Sequence, residues 1–253
     1  MSIIRSMIIA FSTYSRIPMP QVEWTEKNRK YSLCFFPAVG AVSGLILWGW
    51  LKCCEAAMFG PLLRGAVAAL LPLLITGGIH MDGFMDTSDA LASWQPKEKR
   101  LEILKDSHVG AFAVMNCAGY LLLSAALYSE ARAGEGPLLG CVFILSRALS
   151  AWTLTTMKNA RRQGMLNDFA RAAQKRITLW SGAAYGAVCL TVWTVLGGWL
   201  AAGCLLAAAL CILYYRRMAD RQFGGVTGDL AGWFLQVTEL VLTAVIVIGG
   251  KIG

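Results

Sequence analysis

The sequence predicts an all-α fold: a polytopic helical membrane protein of about seven transmembrane helices, with further cytoplasmic and interfacial helices. Three observations carry this expectation. Of 253 residues, 57% are apolar and 15% charged, with a mean hydropathy of +0.56. A soluble domain has about 45–50% apolar and about 25% charged residues. Apolar stretches recur along the chain at about the 20 residues that cross a hydrocarbon layer of about 30 Å. Basic residues fall mostly on one side of these stretches. A disordered chain, a collagen and a nucleic-acid binder are excluded. The net charge of +8 reads as loops held on the cytoplasmic side, not as affinity for a polyanion.

The elements follow in order. Ile3, Ile4, Met7, Ile8 and Phe11 recur at helical spacing, which suits an amphipathic helix lying on the membrane surface. The apolar run at 7–11 is too short for a signal peptide, and no small-x-small cleavage site follows it. Seven spans are expected at 33–51, 60–79, 109–129, 137–157, 178–197, 199–215 and 231–250. Pro72 interrupts the second, which membrane helices tolerate. Gly197 and Gly198 make a tight turn between the fifth and sixth.

The basic residues orient this layout. Most of them precede the first span or lie in the loops after the second, fourth and sixth, among them Arg161, Arg162 and Arg171. Lys52, Arg64, Arg132 and Lys251 mark the opposite side, and Arg147 falls within a span. The N-terminus and the long loops are therefore expected in the cytoplasm and the C-terminus outside. The eight cysteines lie in or beside apolar runs with no CxxC pair, so they read as small hydrophobes, not as a disulfide or zinc framework. No repeat or low-complexity linker divides residues 1–253, and one integral-membrane catalytic domain is expected.

Chemistry concentrates in a few segments. Asp82, Asp86 and Asp89 stand at i, i+4 and i+7, so a helix places all three on one face. Carboxylates crowded beside a membrane repel one another unless a cation neutralises them. Mg²⁺ suits such oxygen ligands and is commonly completed by waters and a phosphate. Asp106 is a fourth candidate ligand. His80 points away from that face and reads as a capping or hydrogen-bonding residue, the alternative being a ligand brought round by an irregular turn. Residues 97–106 repeat at helical spacing as a short surface helix, with Lys105 and Arg100 able to meet a phosphate. The run Gly224-Gly-Val-Thr-Gly-Asp229 precedes a span; its glycines let backbone approach a ligand, and the helix start offers free N–H groups. It lacks the ending of a P-loop. Arg147 and Glu239 lie within spans; they pair with each other, or Arg147 holds a substrate phosphate.

These segments resemble the cobalamin synthase (adenosylcobinamide-GDP ribazoletransferase) family. The similar stretches are 11–20, Phe36-Pro-Ala-Val-Gly40, 76–91 with its GGxHxDGxxDTxD pattern, 101–110, Ser146-Arg147 and Gly224-Gly-Val-Thr-Gly-Asp229. Two positions depart: His108 stands where the family usually has arginine, and Phe84-Met85 where it has a leucine–alanine pair. The resemblance implies a reaction of late cobalamin assembly. A hydroxyl of α-ribazole, or of its 5′-phosphate, displaces GMP from adenosylcobinamide-GDP. It implies Mg²⁺ held by Asp82, Asp86, Asp89 and Asp106, with Asp82, Asp86 and Asp89 catalytic. By analogy with CDP-alcohol phosphotransferases, Asp89 is the base. It implies substrate contacts at Arg16, Lys105, Arg147, Gly225, Thr227 and Asp229, and a place in the cell inner membrane with the site facing the cytoplasm. Assembly of several copies is compatible with this.

Two rivals are weighed against it. A CDP-alcohol phosphotransferase needs an Asp-Gly-x-x-Ala-Arg run, and Asp82-Gly-Phe-Met-Asp-Thr lacks its Ala-Arg. A divalent-cation transporter would hold its acidic residues at the bilayer midplane, whereas these follow a span and precede a basic helix.

Overall fold

The computed structural model describes residues 2–160, 169 and 172–252. Arg161, Arg162 and Arg171 lie outside the described residues. The described elements are α1 (Ser2–Tyr14), α2 (Glu26–Arg29), α3 (Ser32–Ala56), α4 (Pro61–Thr76), α5 (Ile79–Ala92), α6 (Lys97–Ile103), α7 (Ala111–Glu130), α8 (Gly136–Thr156), α9 (Lys175–Gly197), α10 (Leu200–Met218) and α11 (Gly228–Gly249). A single π turn, Ala219–Phe223, follows α10. No strand forms among the described residues; one isolated bridge joins Asn159 to Val226. The expected all-α architecture is borne out.

Six helices, α3 and α7 to α11, are long and apolar enough to cross a membrane, and they match six of the expected spans. The second span departs from expectation. α4 has 16 residues, about 24 Å at 1.5 Å per residue, short of the hydrocarbon layer. The chain then turns through 99° into α5. The glycines end the helix here, not Pro72, which α4 accommodates internally. Gly77 and Gly78 take left-handed φ of 69° and 81°, which stops a helix where a side chain would resist.

Successive long helices alternate in direction, and α3 and α8 meet through small residues. Gly40, Gly44, Gly136 and Gly140 line the α3–α8 contact; a Cβ on Gly44 would lie 2.6 Å from the Gly140 Cα. Such contact replaces the hydrophobic drive that is absent between helices in lipid. α8 lies at the centre, with Leu139, Val142 and Phe143 buried among α3, α9 and α11. Outward faces show Leu62, Leu122, Val195 and Leu213 to the surroundings, as lipid-facing helices do. α1 buries Ser6, Ile9 and Ala10 and leaves Ile3, Ile4 and Met7 exposed. An outward face more apolar than the inward one suits the interfacial position expected of it.

The antiparallel order brings the starts of α3, α7, α9 and α11 and the ends of α4, α8 and α10 to one end of the bundle. α1, α5, α6 and the π turn gather there too. The opposite end is tied by local bonds: Glu55 accepts the Ala133 N–H at 2.6 Å, and Lys251 pairs with Glu130.

Candidate active site

α5 is the platform of the site. Its acidic face is set by the α4–α5 elbow and by close packing on α11. A Cβ on Gly83 would lie 2.7 Å from the Asp229 carbonyl oxygen, and one on Gly232 would lie 2.9 Å from that of His80. The two motifs singled out in sequence, 146 residues apart between Gly83 and Asp229, are therefore in backbone contact. Arg16 lies over the elbow. Its N–H donates to the Ile75 carbonyl at 2.7 Å, and its side chain occupies the space that a Cβ on Gly77 would need. Arg16 and Asp82 line one pocket of about 570 Å³ with Leu73, Leu74, Ile79 and Met85. Its lining is thus both charged and apolar.

The glycine run has a different local cause from the one expected. Its loop is held by the protein itself, not left open. The Val226 N–H donates to Lys158 O at 2.8 Å, and the Ala160 N–H donates to Val226 O at 2.9 Å. Gly225 has φ 152°, and a Cβ there would lie 2.7 Å from the Ala160 nitrogen. This glycine admits the Lys158–Ala160 backbone of the same chain, which corrects the reading of Gly225 as open to a ligand. Thr227 caps α11, accepting the Leu230 N–H at 3.2 Å, and its hydroxyl lies 3.4 Å from Asp229 Oδ2. α6 braces the preceding π turn: Arg100 donates to Gln222, and Lys97 Nζ donates to Asp220 O at 3.3 Å. Lys105 is exposed beyond the end of α6.

The four carboxylates are not equivalent. Asp82 is exposed in the elbow pocket and Asp86 is half-buried one turn on. Asp89 instead accepts the N–H groups of Gly110 at 2.7 Å and Ala113 at 2.8 Å. Asp106 turns to His108, accepting its N–H at 3.0 Å and meeting its ring nitrogen at 2.6 Å. The His108 backbone N–H, then its ring, hold the Asp106 carboxyl below the ordinary range. Among the described residues no three carboxylate, imidazole or thiol groups are grouped to hold a metal ion. The expected four-carboxylate set is thus not gathered in this arrangement.

A model of the cobalamin-5-phosphate synthase family matches residues 6–247. The chain belongs to that family. It is 39% identical over 245 residues to an adenosylcobinamide-GDP ribazoletransferase of Lachnoclostridium phytofermentans, covering 97% of this chain and 94% of the relative. Proteins of the same name from Desulfitobacterium hafniense and Geobacillus thermodenitrificans are 35% and 31% identical, each covering 94% of both chains. No solved structure matches. The family resemblance read from the motifs is borne out.

In this member of the family, the remaining site residues take these places. Arg147 pairs with Glu239 at 2.6 Å, both side chains almost wholly buried. Glu239 also accepts the Ser146 hydroxyl at 2.9 Å, and the Arg147 guanidinium lies over the Phe36 and Phe143 rings. Of the two alternatives for Arg147, the structure realises the ion pair; its burial keeps it from a phosphate in this conformation. His80 is buried beside Tyr14 and Phe36, with ring centroids 6.3 and 5.6 Å away. Its Nε2 has no hydrogen-bond partner among the described residues, so the expected cap is not formed. Sequence reasoning missed Gln222 and Gly110. A glycine directly before a span is an N-terminal signal that could have pointed to Gly110; nothing local marked Gln222.

Proposed function

We propose that this chain is an adenosylcobinamide-GDP ribazoletransferase of the final steps of cobalamin biosynthesis. A ribose hydroxyl of α-ribazole, or of its 5′-phosphate, attacks the cobinamide-bound phosphorus of adenosylcobinamide-GDP. The new P–O bond forms as the bond to GMP breaks, and adenosylcobalamin or its 5′-phosphate results. The observation that carries this reading is the elbow pocket, lined by both Arg16 and Asp82 and by the apolar Leu73, Leu74, Ile79 and Met85. Such a pocket suits a substrate that joins a diphosphate to a bulky corrinoid. The relatives named adenosylcobinamide-GDP ribazoletransferase support the choice of that diphosphate.

The donor set fits Mg²⁺. Asp82 and Asp86 lie one helical turn apart, and this ion is commonly held by one or two carboxylates, waters and substrate phosphates. When bound, Mg²⁺ supplies neutralisation of the diphosphate and of the leaving GMP. The chain's own groups do the positioning. Arg16 meets phosphate oxygens in the pocket, and Lys105 does so from the loop after α6. Thr227 and Asp229, at the start of α11, face the nucleotide or ribose. The hydroxyl proton passes to a carboxylate of the α5 face. The basic asymmetry supports an inner-membrane protein whose site opens to the cytoplasm.

The test uses purified full-length protein in lipid nanodiscs, supplied with adenosylcobinamide-GDP, α-ribazole and Mg²⁺. GMP is expected to appear in equal amount with the cobamide. Asp82→Asn is expected to lower turnover by more than about a hundredfold, the loss of an electrostatic contact at the reacting group. Absence of GMP from folded wild-type protein overturns the assignment.

A further inference from the structure

We infer that Asp89 is a positioning residue, a helix clamp, and not a metal ligand or proton acceptor. This rests on the transferase reading above and changes the division of labour along the acidic face.

The geometry comes first. α7 starts at Gly110, whose N-cap position carries no side chain and therefore no cap of its own. The first N–H groups of a helix lack partners within it. Asp89 supplies them from α5: Oδ2 takes the Gly110 N–H at 2.7 Å and Oδ1 takes the Ala113 N–H at 2.8 Å. This is an N-cap delivered from another helix: one carboxylate takes the N-cap and N3 N–H groups, the two donors that a capping box satisfies with two side chains. The fit is tight. A Cβ on Gly110 would lie 2.6 Å from either carboxylate oxygen, so glycine is required for the clamp to close.

Electrostatics argue against a second role. A helix N-terminus carries about half a positive charge, which favours an anion and opposes a cation. A divalent ion drawn to Asp89 would sit against that charge, and a swing away would leave the α7 amides uncapped. Asp82 faces the elbow pocket and makes neither of these bonds.

The clamp has a consequence for the site. The segment from Lys97 to Ala113 is pinned at both ends. Arg100 and Lys97 tie its start to the π turn before the glycine loop, and Asp89 ties its end to α5. Lys105 lies between these anchors. Asp89 therefore sets where this cation stands relative to Asp82 and Asp86. Its loss should misplace a phosphate contact without removing the metal or the chemistry.

The test compares wild type, Asp89→Asn, Gly110→Ala and Asp82→Asn, all full-length in nanodiscs. It reads three quantities: kinetics of GMP release, Mn²⁺ affinity by electron paramagnetic resonance, and deuterium uptake at 109–115. Asp89→Asn is expected to raise KM for adenosylcobinamide-GDP about tenfold and to leave kcat within about threefold, since it removes positioning and not transition-state contact. Its Mn²⁺ affinity should stay within about twofold of wild type, where a lost ligand partner costs at least about tenfold. Uptake at 109–115 should rise in both Asp89→Asn and Gly110→Ala. A protein carrying both Asp89→Asn and Gly110→Ala should be no worse than the more affected single variant, because one contact is lost once. A fall in kcat of about a hundredfold or more, a tenfold loss of Mn²⁺ affinity, or unchanged uptake at 109–115 overturns the clamp. Asp82→Asn is the metal control. If wild type releases no GMP, the transferase reading fails, while the exchange and Mn²⁺ readings still decide the role of Asp89.

Discussion

Arg147 and Glu239 show what a charge inside a span is for. The two side chains are 1% and 3% exposed and 2.6 Å apart, with Ser146 completing the acid's bonds. Two desolvated charges are costly, and removing one partner leaves the other unpaired at about 3–5 kcal/mol. Arg147→Ala should therefore lower the unfolding midpoint in detergent sharply, and Glu239→Gln should do so less, since the amide still accepts a hydrogen bond. The pair replaced by Met and Leu should regain most of that stability. A double variant as unstable as Arg147→Ala would show that the charges do more than satisfy each other. The sequence placed both residues inside spans but could not choose between an ion pair and a phosphate contact. That choice depends on whether α8 and α11 face each other, a packing fact beyond local spacing. The same limit applied to Asp89. Its helical register with Asp82 and Asp86 was legible, but its partner stands 21 residues on, at the start of another span.

Elements were more legible than side-chain roles. Apolar length alone located six spans, because the hydrocarbon layer imposes it. The second span is shorter than the expected 60–79, because the helix Pro61–Thr76 stops at Gly77 and Gly78 and the chain turns through 99° into α5. The glycine run before α11 shows the converse: its composition announced an unusual backbone, but not what approached it. Gly225 holds a φ of 152° against the Lys158–Ala160 backbone. Gly225→Ala should add strain of about 1–3 kcal/mol and force the two segments apart. The expected result is a drop of at least about tenfold in kcat/KM for GMP release. Gly49→Ala is the control: it meets no atom within 4 Å and should leave the rate unchanged. Equal rates for both variants would separate the loop's shape from catalysis.

At the scale of the molecule, the antiparallel helix order and the charge asymmetry make the same demand. The end holding Asp82, Lys105 and the glycine loop is the end rich in basic residues, the end that the positive-inside rule expects in the cytoplasm. The short α4 still runs from one end to the other: Gly65 at its start meets Ala125 and Ser129 near the end of α7, and Gly77 at its end meets Arg16. It can do so because α5 turns aside at 99° and stays with the site, not continuing into lipid. The far end is then expected outside, and a native probe is already there. Cys53, near the end of α3, is exposed, while Cys34, Cys54, Cys141, Cys189 and Cys204 are buried. In intact cells a membrane-impermeant maleimide should label Cys53. With Cys53 replaced by Ser, a cysteine at exposed His108 should resist the reagent until the membrane is opened. Labelling of both positions from outside would place the acidic pocket on the wrong side for a nucleotide substrate, and would require α4 to turn back without crossing.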